Sequence, residues 1–413
     1  MRAYIESYGC TLNQGEACEV RDLLRSLGWS MTSDPGDADL SVLVACVVIE
    51  ATENRMLRRL KALSSSGKVI VTGCMATARR EAAQVVLPSA EFVPPGDLES
   101  FAELVGRVGS PSVDAAGGDV SGFSIVPIAT GCKGECSYCI TRIARGDLRS
   151  RQPERIIAKV ADEAREGPLE IRLTAQDSAA YGLDIGSDLV RLMESIGEIE
   201  GDFRMRVGMM NPNSVLPLLD RLPGAFSEPR VFKFLHLPVQ SASDGLLSEM
   251  GRRYTLADFE KVVSAFRSAV PELTLSTDLI VGYPEETDDD HEANLALVMR
   301  VQPDIVNVTR YSPRPGTKAF GSGRGIVGWK AKDRSRELTV ARFEVSLARN
   351  ERLVGSEGRA LATERGKNDS TILRTDDYRQ VVIVDDLPLR RFYDVVIDSA
   401  KPTYLIGRLA GNR

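Results

Sequence analysis

The sequence of 413 residues has only two histidines, His236 and His291, which argues against a zinc or non-haem iron centre rich in imidazole. It also lacks a basic surplus: 52 Lys and Arg face 58 Asp and Glu, for a net charge of −6. Overall charge therefore gives no sign of nucleic acid, but it does not exclude it, because local patches set phosphate affinity. No run reaches the roughly 18 consecutive apolar residues that a membrane span requires. The opening MRAYIESYGC has no basic-then-apolar leader pattern. Cytoplasm is the expected compartment, with no membrane partner. Internal repeats and low-complexity tracts are missing too.

What is present is a 43% hydrophobic composition, ample for a buried core. At about 150 residues per domain, the length suits two or three domains. Arg2–Tyr8, Leu40–Ala45 and Lys68–Thr72 read as strands, with helical stretches at Gly15–Leu27 and Glu53–Leu63. Apolar runs alternating with amphipathic helices predict parallel strands in an open α/β sheet. Pro94, Pro95 and Gly96, then the glycines of 109–118, set a boundary near residue 115.

From Phe123 the alternation resumes. Strands are expected at Phe123–Thr130, Glu170–Thr174, Phe203–Gly208, Val231–Leu237, Thr274–Val281 and Ile305–Tyr311, with helices such as Pro153–Glu166 and Leu256–Ala269. Six βα units in this length predict an open or partial parallel barrel. A charged helix at Lys330–Arg352 closes it. The short β-branched segments Gly358–Glu364, Ser370–Arg374, Gln380–Val384, Phe392–Ala400 and Thr403–Ala410 predict a small antiparallel β-barrel. The expected class is thus α/β with three consecutive domains, 1–115, 116–350 and 351–413.

Seven cysteines in a long chain expected in the cytoplasm suit metals or catalysis better than disulfides. Cys132, Cys136 and Cys139 stand at CxxxCxxC spacing directly after the strand Phe123–Thr130. Three thiolates in a glycine-bearing loop can hold a four-iron cluster and leave one iron open to a small molecule, while backbone amides bond the sulfurs. Cys10, Cys46 and Cys74 are dispersed, yet each follows a predicted strand. In an open α/β sheet such ends share one edge, where ligands bind, so a second cluster is expected there. Gly9 and Gly73 permit close backbone approach. Cys18 falls inside a predicted helix and is most simply a small buried residue.

The CxxxCxYC run after the first barrel strand resembles the radical S-adenosylmethionine superfamily. That resemblance implies that the open iron chelates S-adenosylmethionine, whose reductive cleavage yields a deoxyadenosyl radical. Across the full chain the order of parts resembles the methylthiotransferases, with a C-terminal barrel like their RNA-binding TRAM domain. The motifs that carry this are Tyr8-Gly9-Cys10-Thr11-Leu12-Asn13, Val71-Thr72-Gly73-Cys74-Met75, Cys136-Ser137-Tyr138-Cys139-Ile140, Leu173-Thr174-Ala175-Gln176-Asp177, His236-Leu237-Pro238-Val239-Gln240-Ser241 and Arg314-Pro315-Gly316-Thr317. Cys-Ser-Tyr-Cys-Ile-Thr followed by Ala-Arg-Gly, with Arg206-Val207-Gly208-Met209-Met210-Asn211-Pro212, resembles the archaeal and eukaryotic branch.

For that branch the resemblance implies insertion of a methylthio group at carbon 2 of N6-threonylcarbamoyladenosine beside the tRNA anticodon. It implies two [4Fe-4S] clusters, S-adenosylmethionine, a tRNA anticodon loop and an electron donor. Carbon 2 bears a strong C–H bond and no acidic proton, so acid–base chemistry is a poor tool and radical chemistry offers a route. Cys132, Cys136 and Cys139 then generate the radical, while Cys10, Cys46 and Cys74 hold the sulfur-delivering cluster. Tyr138 resembles the family's aromatic contact near the cofactor adenine.

Gln176 and Asp177, after the second predicted barrel strand, and Asp278, on the fifth, are polar candidates for S-adenosylmethionine. Arg142, Arg145, Arg149 and Arg151 follow the cluster loop and are candidates for RNA, since arginine pairs with phosphate and stacks on splayed bases. A target ring carbon must leave the base stack to be reached.

Two departures stand out: Val44-Ala45 precedes Cys46 where the family has Asn-Thr, and Glu285 stands where it has glycine. Alternative readings are a sister methylthiotransferase acting on isopentenyl-adenosine or a ribosomal-protein aspartate, another sulfur-attaching radical enzyme, and a non-catalytic iron–sulfur RNA-binding or electron-transfer protein. Retention of all six cysteines argues against the last.

Overall fold

The run Leu40–Ala45 is apolar or small at every position, and all six residues are buried, as a central parallel strand covered on both faces requires. It is seen as such in the computed structural model, which describes residues 1–65, 67–108, 121–165, 167–322 and 326–411. Strands β1 (Arg2–Ser7), β2 (Ser30–Met31), β3 (Leu40–Ala45), β4 (Lys68–Gly73) and β5 (Glu91–Phe92) form a parallel sheet in the order β2-β1-β3-β4-β5.

Alternate residues of β3 serve opposite faces. Leu43 and Ala45 pack with Met56 and Leu60 of helix α2 (Glu50–Ala62), and Val42 and Val44 with Leu24 of α1 (Thr11–Ser26). The register Ser7↔Val44 and Ala45↔Gly73 levels the carboxyl ends of β1, β3 and β4. Short helices α3 (Cys74–Ala78), α4 (Arg80–Val86) and α5 (Leu98–Gly106) complete this region. Helix α1 starts four residues before the expected Gly15. It follows Cys10 without a loop, and Gly15 is buried inside it.

The chain folds as two compact units that interleave along the sequence. Unit 1 comprises the described residues of 1–119 with Thr130–Arg149 and Ser312–Gly321, and unit 2 those of 120–129 with Ser150–Tyr311 and the rest of the chain. The reason is packing: helix α6 (Ile140–Arg145) buries Ile140 and Ala144 in the core of the N-terminal sheet. The expected boundary near 115, with the glycines of 109–118, and Glu166 at an expected helix end lie outside the described residues.

In unit 2, β6 (Phe123–Pro127) leads the central strands, and the short β7 (Ala129–Thr130) and β8 (Arg149–Ser150) flank the cysteine loop in sequence. Strands β9 (Leu169–Thr174) and β10 (Phe203–Val207) pair parallel with β6 in the order β10-β9-β6. Strands β11 (Phe234–His236), β12 (Thr274–Val281) and β13 (Ile305–Arg310) form a second parallel triplet. An isolated parallel bridge, Met205↔Val231, joins the two. Among the described residues no pairing returns β13 to β6, so six strands make the partial barrel that six βα units predict.

Strands β14 (Glu357–Arg365), β15 (Thr371–Thr375), β16 (Gln380–Ile383), β17 (Phe392–Ala400) and β18 (Leu405–Leu409) close into a barrel around Ala360, Leu373, Val381 and Ile397. Register shifts at Ala362/Glu364 and Ile397/Ser399 bend the two longest strands. The barrel is antiparallel except between β16 and β18, which run parallel. A ring of five strands cannot alternate direction at every seam, so one parallel seam is unavoidable. No described helix is long and apolar enough to cross a membrane.

Candidate metal centres

The CxxxCxxC loop is shaped by bonds within its own neighbourhood. Cys139 caps the start of α6, and its N–H donates to the Cys136 carbonyl at 3.1 Å. The Cys132 N–H donates to the Gly146 carbonyl at 3.2 Å. Gly131 takes φ +75°, and a Cβ there would lie 1.9 Å from the Asp147 carbonyl oxygen, so the return strand passes only because that residue is glycine. The Arg142 guanidinium donates to the Cys132 carbonyl and pairs with Asp147 at 2.5 Å.

This loop leaves room for a group bound by sulfur. The Gly134 N–H donates to Cys132 Sγ at 3.2 Å. A Cβ on Gly134 would sit 3.3 Å from Cys132 Sγ and 3.6 Å from Cys136 Sγ, filling the cradle between them. Cys132, Cys136 and Cys139 are half-buried, as is Tyr138. The preceding Ser137 carbonyl accepts from the Ala319 N–H at 2.8 Å, which anchors the loop to the segment 312–321 of the same unit.

The second triad is built by the sheet. Cys10 follows β1 and caps α1, Cys46 follows β3, and Cys74 follows β4 as the first residue of α3. Cys10 is exposed, while Cys46 and Cys74 are buried. Gly9, at φ +111°, brings the backbone so close that a Cβ would lie 2.6 Å from Cys46 Cβ. Burial pushes the Cys46 thiol up, and it pushes Cys74 up to about 12 against the pull of Arg145. A positive partner is needed to hold these thiols as thiolates, and iron supplies one. No three His, Cys, Asp or Glu side chains among the described residues converge as they would on a single ion. Each triad supplies three free thiols, the donor set of a four-iron cluster with one iron left open.

Arg145 overturns one sequence expectation. It is not available to RNA: its side chain has 0% exposure and pairs with Glu16 at 2.5 Å. Its Nε donates to Cys74 Sγ at 3.3 Å, and a terminal nitrogen donates to Asn13 Oδ1 at 2.7 Å. Val44 and Ala45, where the resemblance expects polar side chains, lie apolar in the sheet core; Arg145 gives this triad a polar side-chain contact, at Cys74. Arg142 likewise braces its loop, whereas Arg149 is exposed and Arg151 half-buried. Arg149 lines an open cavity of about 410 Å³ with Pro94, Pro95 and Ile143.

Sequence reasoning missed Glu16, which on an amphipathic helix reads as a solvent-facing acid yet is buried. It also missed Glu53, whose carboxylate is shared by Arg79 at 2.7 Å and the buried Arg314. Arg314 and Asn13 did lie within the quoted motifs.

In unit 2 the polar candidates divide. Asp177 is buried, accepting from the Asn211 N–H at 3.0 Å and the Ser214 hydroxyl at 2.7 Å. Burial pushes its carboxyl up. Both oxygens are engaged by the turn after β10, so Asp177 shapes the strand end. Gln176 Oε1, by contrast, is buried without a partner, as are Ser178 Oγ and Asn211 Oδ1. All three follow the carboxyl ends of β9 and β10, the side of a parallel barrel where ligands bind. Asp278 Oδ1 lies 3.0 Å from His236 Nε2 and accepts from Asn307 Nδ2 at 2.7 Å, joining β12 to β11 and β13.

Residues 126–298 match the Radical SAM superfamily, and residues 2–93 match a family described as Uncharacterized protein family UPF0004. A probable threonylcarbamoyladenosine tRNA methylthiotransferase of Archaeoglobus fulgidus is 38% identical over 100% of both chains. A protein of the same description from Pyrococcus horikoshii is 37% identical over 99% of both. Among solved structures, a radical S-adenosylmethionine methyltransferase, TsrM, from Kitasatospora setae with cobalamin and a [4Fe-4S] cluster bound has a TM-score of 0.58 at 15% identity. It covers 77% of this chain and 76% of its own, a likeness of fold alone.

Proposed function

Because this chain belongs to the threonylcarbamoyladenosine tRNA methylthiotransferase family, we propose that it attaches a methylthio group to carbon 2 of N6-threonylcarbamoyladenosine in a tRNA anticodon loop. The observation that carries the reading is the pair of cysteine triads in unit 1, each open to a sulfur-ligated group. When bound, an iron–sulfur cluster at each triad and S-adenosylmethionine supply the electron, the radical and the methylated sulfur of the reaction. Cys132, Cys136 and Cys139 hold the radical-generating cluster, and Cys10, Cys46 and Cys74 the sulfur-delivering one.

The protein's own groups do the holding. The Gly134 amide stabilises charge on Cys132, the amino end of the 16-residue α1 does the same for Cys10, and the Arg145 guanidinium does so for Cys74. Gln176 is assigned to S-adenosylmethionine because its buried acceptor lacks a protein donor. Asp278 and Tyr138 are assigned there too: Asp278 is oriented by His236 and Asn307, and Tyr138 sits in the cysteine loop. Arg149 and Arg151 are assigned to tRNA phosphate, with 351–413 as the RNA-binding module. The same reading puts the reaction in the cytoplasm, served by a one-electron donor.

The test is mass spectrometry of tRNA nucleosides after anaerobic incubation of the reconstituted protein with S-adenosylmethionine and a strong reductant. Methylthio-threonylcarbamoyladenosine is the expected product. Deoxyadenosine without a modified nucleoside would overturn the substrate assignment.

A further inference from the structure

Helix α6 carries a ligand of one triad at its start and touches the other triad at its end. Cys139 caps it, and Arg145 is its last residue. All five N–H donors of Arg145 meet acceptors inside unit 1. The Nε donates to Cys74 Sγ at 3.3 Å, one terminal nitrogen to Glu16 Oε1 at 2.5 Å and Thr130 Oγ1 at 3.3 Å. The other donates to Asn13 Oδ1 at 2.7 Å and Glu16 Oε2 at 2.8 Å. Asn13 is itself fixed, donating from Nδ2 to the Tyr8 carbonyl at 2.8 Å. A fork held at every donor and shut away from water cannot turn aside when the charge on the sulfur changes.

Hydrogen bonds to cluster sulfurs and local charge set the reduction potential of an iron–sulfur site. The reduced form carries one more negative charge, so a fixed donor with positive charge stabilises it. We infer that Arg145 is a positioning residue that raises the reduction potential of a cluster on Cys10, Cys46 and Cys74 through its bond to Cys74 Sγ. The same residue ties that triad, by one six-residue helix, to Cys139. This rests on the assignment of a cluster to the dispersed triad.

The test uses the full chain with Cys132→Ala, Cys136→Ala and Cys139→Ala, so that any iron–sulfur signal belongs to the other triad. After anaerobic reconstitution, potentiometry followed by electron paramagnetic resonance compares this protein with added Arg145→Lys or Arg145→Gln. Lysine keeps the charge but loses the fork, and glutamine loses both. At a fixed poise the reduced-to-oxidised ratio falls about tenfold in the glutamine variant, ~59 mV for one electron, and less in the lysine variant.

An unchanged ratio in both variants with iron retained would overturn the inference. Loss of iron from both would overturn it too, since Arg145 would then build the site and not tune it. No tRNA enters this measurement, so a missing methylthio product in the unaltered protein would sink the proposed function and leave this result standing.

Discussion

The two cysteine triads of unit 1 meet the same requirement, three thiols around one space, by opposite means. Cys132, Cys136 and Cys139 lie in one loop whose shape comes from short-range bonds, such as Cys139 N–H to the Cys136 carbonyl and Gly134 N–H to Cys132 Sγ. Cys10, Cys46 and Cys74 come from three strands and meet only because β1, β3 and β4 are neighbours with level ends. Their cations differ as well. Arg142 at the loop is partly exposed, and its partner Asp147 is 85% exposed, whereas Arg145 and Glu16 at the dispersed triad are buried. A local site depends on its own loop, and a dispersed site is only as sound as the sheet that gathers it.

The largest test of this contrast removes each triad in turn. Alanine at Cys132, Cys136 and Cys139 abolishes deoxyadenosine formation. Alanine at Cys10, Cys46 and Cys74 halves the iron per chain and spares cleavage, yet stops methylthio insertion. Equal loss of cleavage in both variants, measured by chromatography of deoxyadenosine, would end the division of labour.

Next come the two arginines. Arg145→Ala leaves Glu16 charged and buried, a loss of about 3–5 kcal/mol; Arg142→Ala breaks a largely exposed ion pair, which contributes about 1 kcal/mol at most. Urea unfolding of the metal-free proteins reads the gap, and equal midpoints for the two variants would refute the assigned contrast in burial.

Unit 2 offers a buried carboxylate with no thiols beside it. Burial alone would push Glu170 up, but Arg172, Arg374 and the Tyr378 hydroxyl outweigh it and hold its carboxyl below the usual range. A depressed folded pKa means the stabilisation is present above the unfolded value of 4.5 and is lost as pH falls through the folded one. The stability gap between the wild type and Glu170→Gln therefore narrows as pH drops below 4.5, worth about 1.5–3 kcal/mol at neutral pH for a charged hydrogen-bonded group. A gap constant from pH 3 to 6 would contradict it.

The smallest effect sits at Glu285, where the family has glycine. Glu285 stands at φ +66°, in the left-handed region. Relief of that strain gives Glu285→Gly a gain of about 1 kcal/mol, seen as a higher thermal midpoint. A fall would show that the Glu285 side chain holds the turn by itself.

Much of this was legible in the linear chain. Leu40–Ala45, Thr274–Val281 and Phe392–Ala400 appear as strands with the expected ends, because unbroken apolar or β-branched runs between turn residues leave little choice of period. Arg145 was misread for a physical reason. Six residues of helix are too few to show which side is wet, and an arginine beside a glycine looks solvated until its carboxylate partner, 129 positions away, is found. The part Asp177 plays in the turn was hidden similarly, since its partners Asn211 and Ser214 come from the next βα unit.

The sequence by itself determined the cysteine spacing, the strand and helix order and the family, all set by neighbouring residues and their periodicity. Only the tertiary structure decided that 130–149 joins the N-terminal sheet, that one barrel seam runs parallel, and that Arg145 faces Cys74 in place of solvent. Those outcomes depend on contacts between residues far apart in the chain, where burial, charge pairing and the closure of a sheet are settled together and no local pattern carries the result.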